Sequence, residues 1–288
     1  MVFVKERLST GNYVPATITQ IKLDYTDFYR RVLISGICFL IGVIINKDFL
    51  RALKRLMEFK VFDLGLVDFK EAWQFQKEIF SDVKAGLIKS ALILCQHYPV
   101  ITLGRKAVKE NVRVSEYELK NRGIQIYEIE RGGDVTYHGP GQLVIYPIFN
   151  LNYLGRDIHI FLRRLEEVVI DLLSDFGIKA SRFSGLTGVW VNKQKIASIG
   201  IAIRNWITFH GLSINIKKND LDNFRLIKPC GMDIEMIALE TILGRNIEID
   251  NLKENLIYKF KDIFPFKESE SVTIKEEFDG QSSLARVR

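Results

Sequence analysis

Cysteine is scarce in this chain of 288 residues: Cys38, Cys95 and Cys230 are all there is. No pair has the spacing of a metal knuckle, a redox dithiol or a disulfide framework, which fits a reducing, cytoplasmic setting. Long apolar runs are missing too. The best candidate, Val32 to Ile45, has fourteen residues and includes Ser35, Cys38 and two glycines, against the ~20 needed to cross a bilayer. It has neither the early basic end nor the small-residue cleavage site of a signal peptide, so membrane contact through residues 32–45 is not expected.

Clustered positive charge is the third absence. The net charge is +6 and the pI about 9.1, but residues 1–56 hold nine Lys/Arg against four Asp/Glu, and the remainder 32 against 31. The body is nearly neutral, which argues against a nucleic-acid partner. Neither phosphate-binding signature occurs: Gly132-Gly133 has no Gly-Lys-Ser/Thr ending, and no G-x-G-x-x-G opens a helix. No third metal-capable side chain accompanies His138 or His210 at recognisable spacing, so no metal and no nucleotide cofactor is expected. Repeats and heptads are absent.

Patterned sequence begins at Glu58, directly after Met57. Residues 1–56 therefore read either as sequence upstream of the natural start or as a basic, apolar extension, with Met57 taken as the start. Residues 57–265 form the body, and residues 266–288 a polar tail. Apolar spacing predicts a helix over Val67 to Val83 capped by Asp68, then strands over Leu87 to Leu94 and Val100 to Leu103 around Tyr98-Pro99. Strands follow at Ile124 to Ile129 and Leu143 to Phe149; Pro147 places the latter near a sheet edge. Asp157 to Phe176 reads as a helix. A meander of Gly188 to Val191, Lys195 to Ile203 and Ile207 to Ile216 comes next, with final helices at Asp233 to Leu243 and Asp250 to Phe264. The sum is one α+β domain on a mixed sheet.

Between two of these strands, residues 131–142 read Arg-Gly-Gly-Asp-Val-Thr-Tyr-His-Gly-Pro-Gly-Gln, with four glycines in twelve positions. A turn needs one or two. Repeated glycine lets backbone approach a ligand and present its N–H groups, so the segment reads as a binding loop. Cys230, in the turn Pro229-Cys-Gly231, is the thiol with the most chemical context. A free thiol has a pKa of ~8.5, so a nucleophilic role needs a cation beside it. Lys195, at the mouth of an apolar strand, is the candidate: partial burial lowers its own pKa, and its charge lowers that of a thiol. Against these readings stand a buried idle thiol and an ordinary hairpin lysine. His138 and His210 could be bases, orienting groups or structural histidines.

Four ordered motifs carry a resemblance. Arg131 to Gln142, Gly188-Val-Trp-Val with Lys195-Ile-Ala-Ser-Ile-Gly200, Phe209-His-Gly-Leu212 and Pro229-Cys-Gly231 are together similar to the motif set of octanoyltransferases, also called lipoate-protein ligase B. His97-Tyr-Pro99 and Thr102-Leu-Gly-Arg105 add to the match, which spans about Met57 to Phe264. The resemblance implies an α+β, mixed-sheet sandwich like the catalytic domains of biotin and lipoate protein ligases, working without ATP. It implies transfer of octanoyl from octanoyl-acyl carrier protein to a lysine ε-amine on lipoyl domains, as in the E2 subunits of 2-oxoacid dehydrogenases and the glycine cleavage H protein. Cys230 matches the acyl-carrying nucleophile, and Lys195 the lysine that lowers its pKa. Arg131, Gly132, Gly133, Asp134, Val135, Thr136, Tyr137 and His138 match the substrate-binding segment, joined by Ser198, Ile199, Gly200, Gly211, Leu212 and Ser213. His210 is a possible auxiliary, and Ala197 stands where some relatives carry cysteine. Either Lys195 or His138 would deprotonate the incoming lysine. An ATP-dependent ligase and a non-catalytic acyl-carrier-binding module are the rival classes.

Overall fold

Short apolar runs, the central ones buried along nearly their whole length, build two sheets. The computed structural model describes residues 59–219, 221–229, 233–264 and 273–275. In chain order the elements are β1 (Lys60–Val67), α1 (Phe69–Ala85), β2 (Ser90–His97), β3 (Val100–Leu103), α2 (Glu116–Asn121), β4 (Gln125–Glu128), β5 (Val135–His138), β6 (Gln142–Phe149), α3 (Ile158–Ser174), β7 (Val189–Val191), β8 (Gln194–Arg204), β9 (Ile207–Asn215), α4 (Leu239–Leu243), α5 (Ile249–Ile263) and β10 (Thr273–Lys275). Seven strands form a mixed sheet in the order β10-β1-β2-β6-β9-β8-β7, and three form a smaller one, β4-β3-β5.

Both faces of the large sheet are covered. Leu92 and Leu94 of β2 share one face with Leu143, Ile145 and Phe149 of β6, under Leu165, Val168 and Leu172 of α3 and Leu252, Leu256 and Phe260 of α5. The intervening Ala91, Ile93, Cys95, Val144, Tyr146 and Ile148 point the other way, against Ala72, Ile79 and Val83 of α1. The period of two in the strands and of 3.6 in the helices thus meet in a separate cluster on each face of the sheet. Asp68 caps α1 by accepting from Lys70 N at 2.8 Å, and Asp157 caps α3 by accepting from Ile160 N at 2.9 Å.

Three expectations are corrected. Pro147 does not mark an edge, because β6 lies between β2 and β9. The β6–β9 ladder runs only as far as Ile145–Leu212, and the missing proline N–H falls where it is interrupted. His210 there takes φ 57°, and its N–H goes to Gln76 Oε1 at 2.9 Å. Thr208 Oγ1 substitutes for ladder bonds, donating to Pro147 O at 2.6 Å and accepting from Phe149 N at 2.9 Å. Second, Asp233 to Leu243 is helical only over Leu239–Leu243. Glu235 O and Ile237 N are taken by the backbone of Lys195 at 2.8 and 3.0 Å, which holds that stretch extended along β8. Third, the glycine segment is not all loop, since β5 lies within it. Within the C-terminal tail, residues 273–275 form β10, paired parallel to β1.

β1 and α2 had no clear signal. The register of β1 shifts between Asp63 and Leu66, with Gly65 at φ 60°, which erases its period of two. Cys38, the run 32–45 and the whole of 1–58 lie outside the described residues, as do Cys230 and Gly231. No helix among the described residues is long and apolar enough to cross a membrane.

Candidate active site

Glycine is needed where the two sheets meet. Gly132 N donates to Ile201 O of β8 at 2.8 Å. A Cβ on Gly200 would lie 3.0 Å from Gly132 O, and one on Gly104 would lie 2.4 Å from Gly133 O. Backbone therefore packs on backbone, with no room for side chains. Beside this crossing lies a cavity of about 600 Å³, within the range of about 300–1,000 Å³ usual for small-molecule sites.

The cavity gathers most of the residues expected from sequence. Arg131, Gly132, Gly133, Asp134, Val135, Thr136 and His138 line it, with Lys195, Ser198, Ile199, Gly200, His210, Gly211, Leu212 and Ser213 from β8 and β9. Pro229, the neighbour of Cys230 in the chain, lines it as well. Tyr137 does not. It alternates to the outer face of β5, packs on Phe224 at a ring-centroid distance of 5.6 Å and accepts from Asn223 Nδ2 at 2.9 Å.

Two charged members brace the segment. Arg131 donates from Nη2 to Thr102 O at 2.6 Å, from Nε to Thr102 Oγ1 at 3.1 Å and from Nη1 to Gly132 O at 3.0 Å. Asp134 Oδ1 accepts from Val108 N at 3.0 Å, and its other oxygen from Asn111 Nδ2. Much of their hydrogen-bonding capacity is thus turned into the protein.

Lys195 is placed by turn chemistry. Asn192 and Lys193 take φ of 49° and 73°, as a two-residue hairpin turn between β7 and β8 requires. Trp190 is thereby paired with Lys195. The lysine is only 7% exposed, and its Nζ stands 5.0 Å from the centroid of the Trp190 ring. The stem passes over Gly188, where a Cβ would lie 2.6 Å from Lys195 Cε. Gly188 N in turn donates to Glu166 Oε1 at 3.1 Å, and Glu166, buried in α3, is ion-paired to Arg163 and Arg182 at 2.6 and 2.9 Å.

His97, His138 and His210 are buried and hydrogen-bonded. His138 Nδ1 lies 2.6 Å from Gln142 Oε1; burial first, and then the charge of nearby His97, push its pKa down to about 3. His97 donates from Nδ1 to Val67 O at 3.1 Å and accepts from Tyr146 OH at 2.7 Å, and burial lowers it to about 4. His210 Nε2 donates to Glu130 Oε2 at 3.3 Å. That bond is the chief reason the Glu130 carboxyl sits at about 2. Thr102, Gln142, Glu166, Trp190 and Asn215 were not singled out by sequence reasoning. Thr102, Gln142 and Trp190 had a signal, as members of the quoted motifs.

Comparison with known proteins identifies the family and the fold. Residues 68–261 match the model of the lipoyl protein ligase A/B catalytic domain. An octanoyltransferase of Thermoanaerobacter sp. is 44% identical over 212 residues, covering 73% of this chain and 92% of that one. One from Geobacter metallireducens is 41% identical over 199 residues, covering 69% and 90%. Among solved structures, a lipoate-protein ligase A bound with ATP superposes with a TM-score of 0.63 at 20% identity, covering 76% and 90%. A bipartite lipoate protein ligase from Thermoplasma acidophilum gives 0.58 at 18%, covering 76% and 88%; at such identities these two speak for the fold. The expected α+β ligase-like fold is the one observed, and the chain belongs to the octanoyltransferase family of acyltransferases within the lipoyl protein ligase A/B catalytic domains.

Proposed function

We propose that this enzyme transfers octanoyl from octanoyl-acyl carrier protein to the ε-amine of a lysine on lipoyl domains, through a thioester on Cys230. The observation that carries the reading is the buried ammonium of Lys195 in the cavity that Pro229 also lines. A cation held out of water beside a thiol favours the thiolate. Ile199, Ile201, Leu212 and Leu162 give that cavity an apolar wall suited to a saturated chain.

In the first step the Cys230 thiolate attacks the carrier thioester, the carrier thiol leaves with a proton, and backbone N–H groups of the site stabilise the oxyanion. In the second the lysine amine of a lipoyl domain attacks the acyl-enzyme, giving an octanoyl amide and restoring the thiol. Acceptors of the expected type are the E2 subunits of 2-oxoacid dehydrogenases and the glycine cleavage H protein. The thioester donor already carries an activated acyl group, so this cycle needs no ATP and no cofactor.

Intact-protein mass spectrometry tests the reading. Incubation with octanoyl-acyl carrier protein adds one octanoyl mass to the enzyme, a lipoyl domain removes it, and Cys230→Ser abolishes both. Undiminished transfer by Cys230→Ser, or transfer that depends on ATP, refutes it.

A further inference from the structure

A chain of side-chain amides runs from His138 to the backbone of Lys195, and its polarity can be read from one end. Asn215 Nδ2 lies 3.4 Å from Lys195 O and 3.2 Å from Ile237 O. Carbonyl oxygens only accept, so this end of the amide is its NH₂ and the other its oxygen. Gln142 Nε2 donates to that oxygen at 2.9 Å, leaving Gln142 Oε1 as an acceptor 2.6 Å from His138 Nδ1. Nδ1 must therefore carry the ring hydrogen. In the neutral imidazole the lone pair is then on Nε2, which makes no hydrogen bond among the described residues, on a ring that lines the cavity. The chain is buried throughout: His138, Gln142 and Asn215 are 8%, 5% and 4% exposed.

We propose that His138 is the proton acceptor of the second step, taking the proton from the attacking lysine nitrogen onto Nε2, and that Gln142 and Asn215 are positioning residues that fix its tautomer. The inference rests on the acyl-enzyme reading above and assigns within it the base for the acceptor. The unprotonated amine forms the N–C bond to the thioester carbon. The nitrogen of that adduct is cationic and more acidic than free ammonium, and its proton passes to the Nε2 lone pair of the imidazole as the adduct collapses. The C–S bond then breaks, Cys230 leaves as the thiolate, and the imidazolium keeps its Nδ1–H bond to Gln142 Oε1 until it loses the Nε2 proton to solvent. Lys195 remains the partner of the thiolate.

Two measurements on the full chain decide it. In single-turnover experiments octanoyl-enzyme is formed first and then mixed with a lipoyl domain. His138→Asn, which keeps a donor near Nδ1 but has no Nε2, should slow loss of the adduct by at least about 100-fold, with the KM for the lipoyl domain nearly unchanged. Its effect on adduct formation should be smaller by at least about tenfold, on the same scale of general-base catalysis. Equal slowing of both steps, or undiminished transfer, overturns the proposal. Failure of wild-type enzyme to form any adduct refutes the acyl-enzyme reading instead. In ¹⁵N-histidine spectra, the resonance pair lost in His138→Asn should be that of a neutral ring protonated at Nδ1. Asn215→Ala or Gln142→Leu should shift it towards the other tautomer and slow transfer in parallel. A ring protonated at Nε2 in the wild type overturns the proposal whatever the variants do.

Discussion

Gly188→Ala is expected to damage stability and the first catalytic step together, because Gly188 is the floor over which Lys195 is laid. Its φ is 137°, where an L residue is strained by ~1–3 kcal/mol. The new methyl would lie 2.6 Å from Ala197 O and 2.6 Å from Lys195 Cε. The oxygen is fixed backbone in a strand and cannot swing aside, so relieving the overlap adds ~1–3 kcal/mol as overpacking. The two effects together come to about 4 kcal/mol, and a domain of this size loses ~2–4 °C of Tm per kcal/mol, giving a drop of ~8–16 °C. The same methyl would be 3.2 Å from Nζ, and moving the ammonium by ~1 Å should cost ~100-fold in adduct formation. Thermal unfolding by circular dichroism gives the first number, and adduct formation measured well below the transition gives the second. A variant with wild-type Tm and adduct formation within about twofold of wild type would refute this account of the Lys195 floor, since a shift the chemistry notices should exceed that.

Other perturbations follow the same contacts. Glu166→Ala strands the buried Gly188 N–H and takes one partner each from the partly exposed Arg163 and Arg182, so urea unfolding should show a loss of ~1–3 kcal/mol; a loss below about 0.5 kcal/mol would show that the Gly188 N–H finds water in its place. Tyr137→Phe removes the Asn223 bond on the outer face of β5, which should cost ~0.5–1.5 kcal/mol and leave octanoyl transfer unaltered; a large loss of transfer would place Tyr137 at the substrate after all. Acid should destabilise the fold before its carboxylates titrate. His97 and His138 are held down to about 4 and about 3, whereas in the unfolded chain both titrate near 6.5. As pH falls from 6.5 towards 4 the unfolded state takes up protons the folded state refuses, so stability declines by up to ~1.4 kcal/mol per pH unit for each ring. Urea midpoints at pH 7, 6 and 5 measure this, and a flat profile would mean that both rings take up protons in the fold as readily as in the unfolded chain.

What sequence revealed, and what it hid, follows from the range of the interactions. Local signals held: Asp68 and Asp157 cap the helices they precede, and Asn192-Lys193 turns the hairpin that delivers Lys195. The burial of Lys195 was legible from the apolar run behind it. Long-range effects were not. Pro147 reads as an edge residue because nothing nearby announces that Thr208, some 60 residues away, replaces the missing ladder bonds. Asp233 to Ala238 looks helical by spacing, yet the free backbone edge beside Lys195 captures it. Tyr137 was placed with its loop neighbours because β5 went unseen, and a strand sends adjacent side chains to opposite faces.

The glycine-rich segment has two functions, separated by position. Gly132 and Gly133 pack against Gly200 and Gly104 and bring the small sheet onto the large one; the Gly132 N–H is spent on Ile201 O and is not offered to a ligand. Substitution at these glycines would change the width of the cavity before any contact with substrate was lost. Farther along, Thr136 and His138 face the cavity while Tyr137 packs into the core around Ile101 and Leu226, where Val135 at the cavity's edge is packed as well. That anchoring makes the inward-facing half rigid. Gln142, the last residue of the segment and the first of β6, ties His138 through Asn215 to the carbonyl of Lys195. The segment thus acts less as a flexible binding loop than as a fixed wall, with its histidine held in register with the lysine across the cavity. In the proposed two-step cycle, preorganisation of this kind would keep both groups in place without rearrangement between the steps.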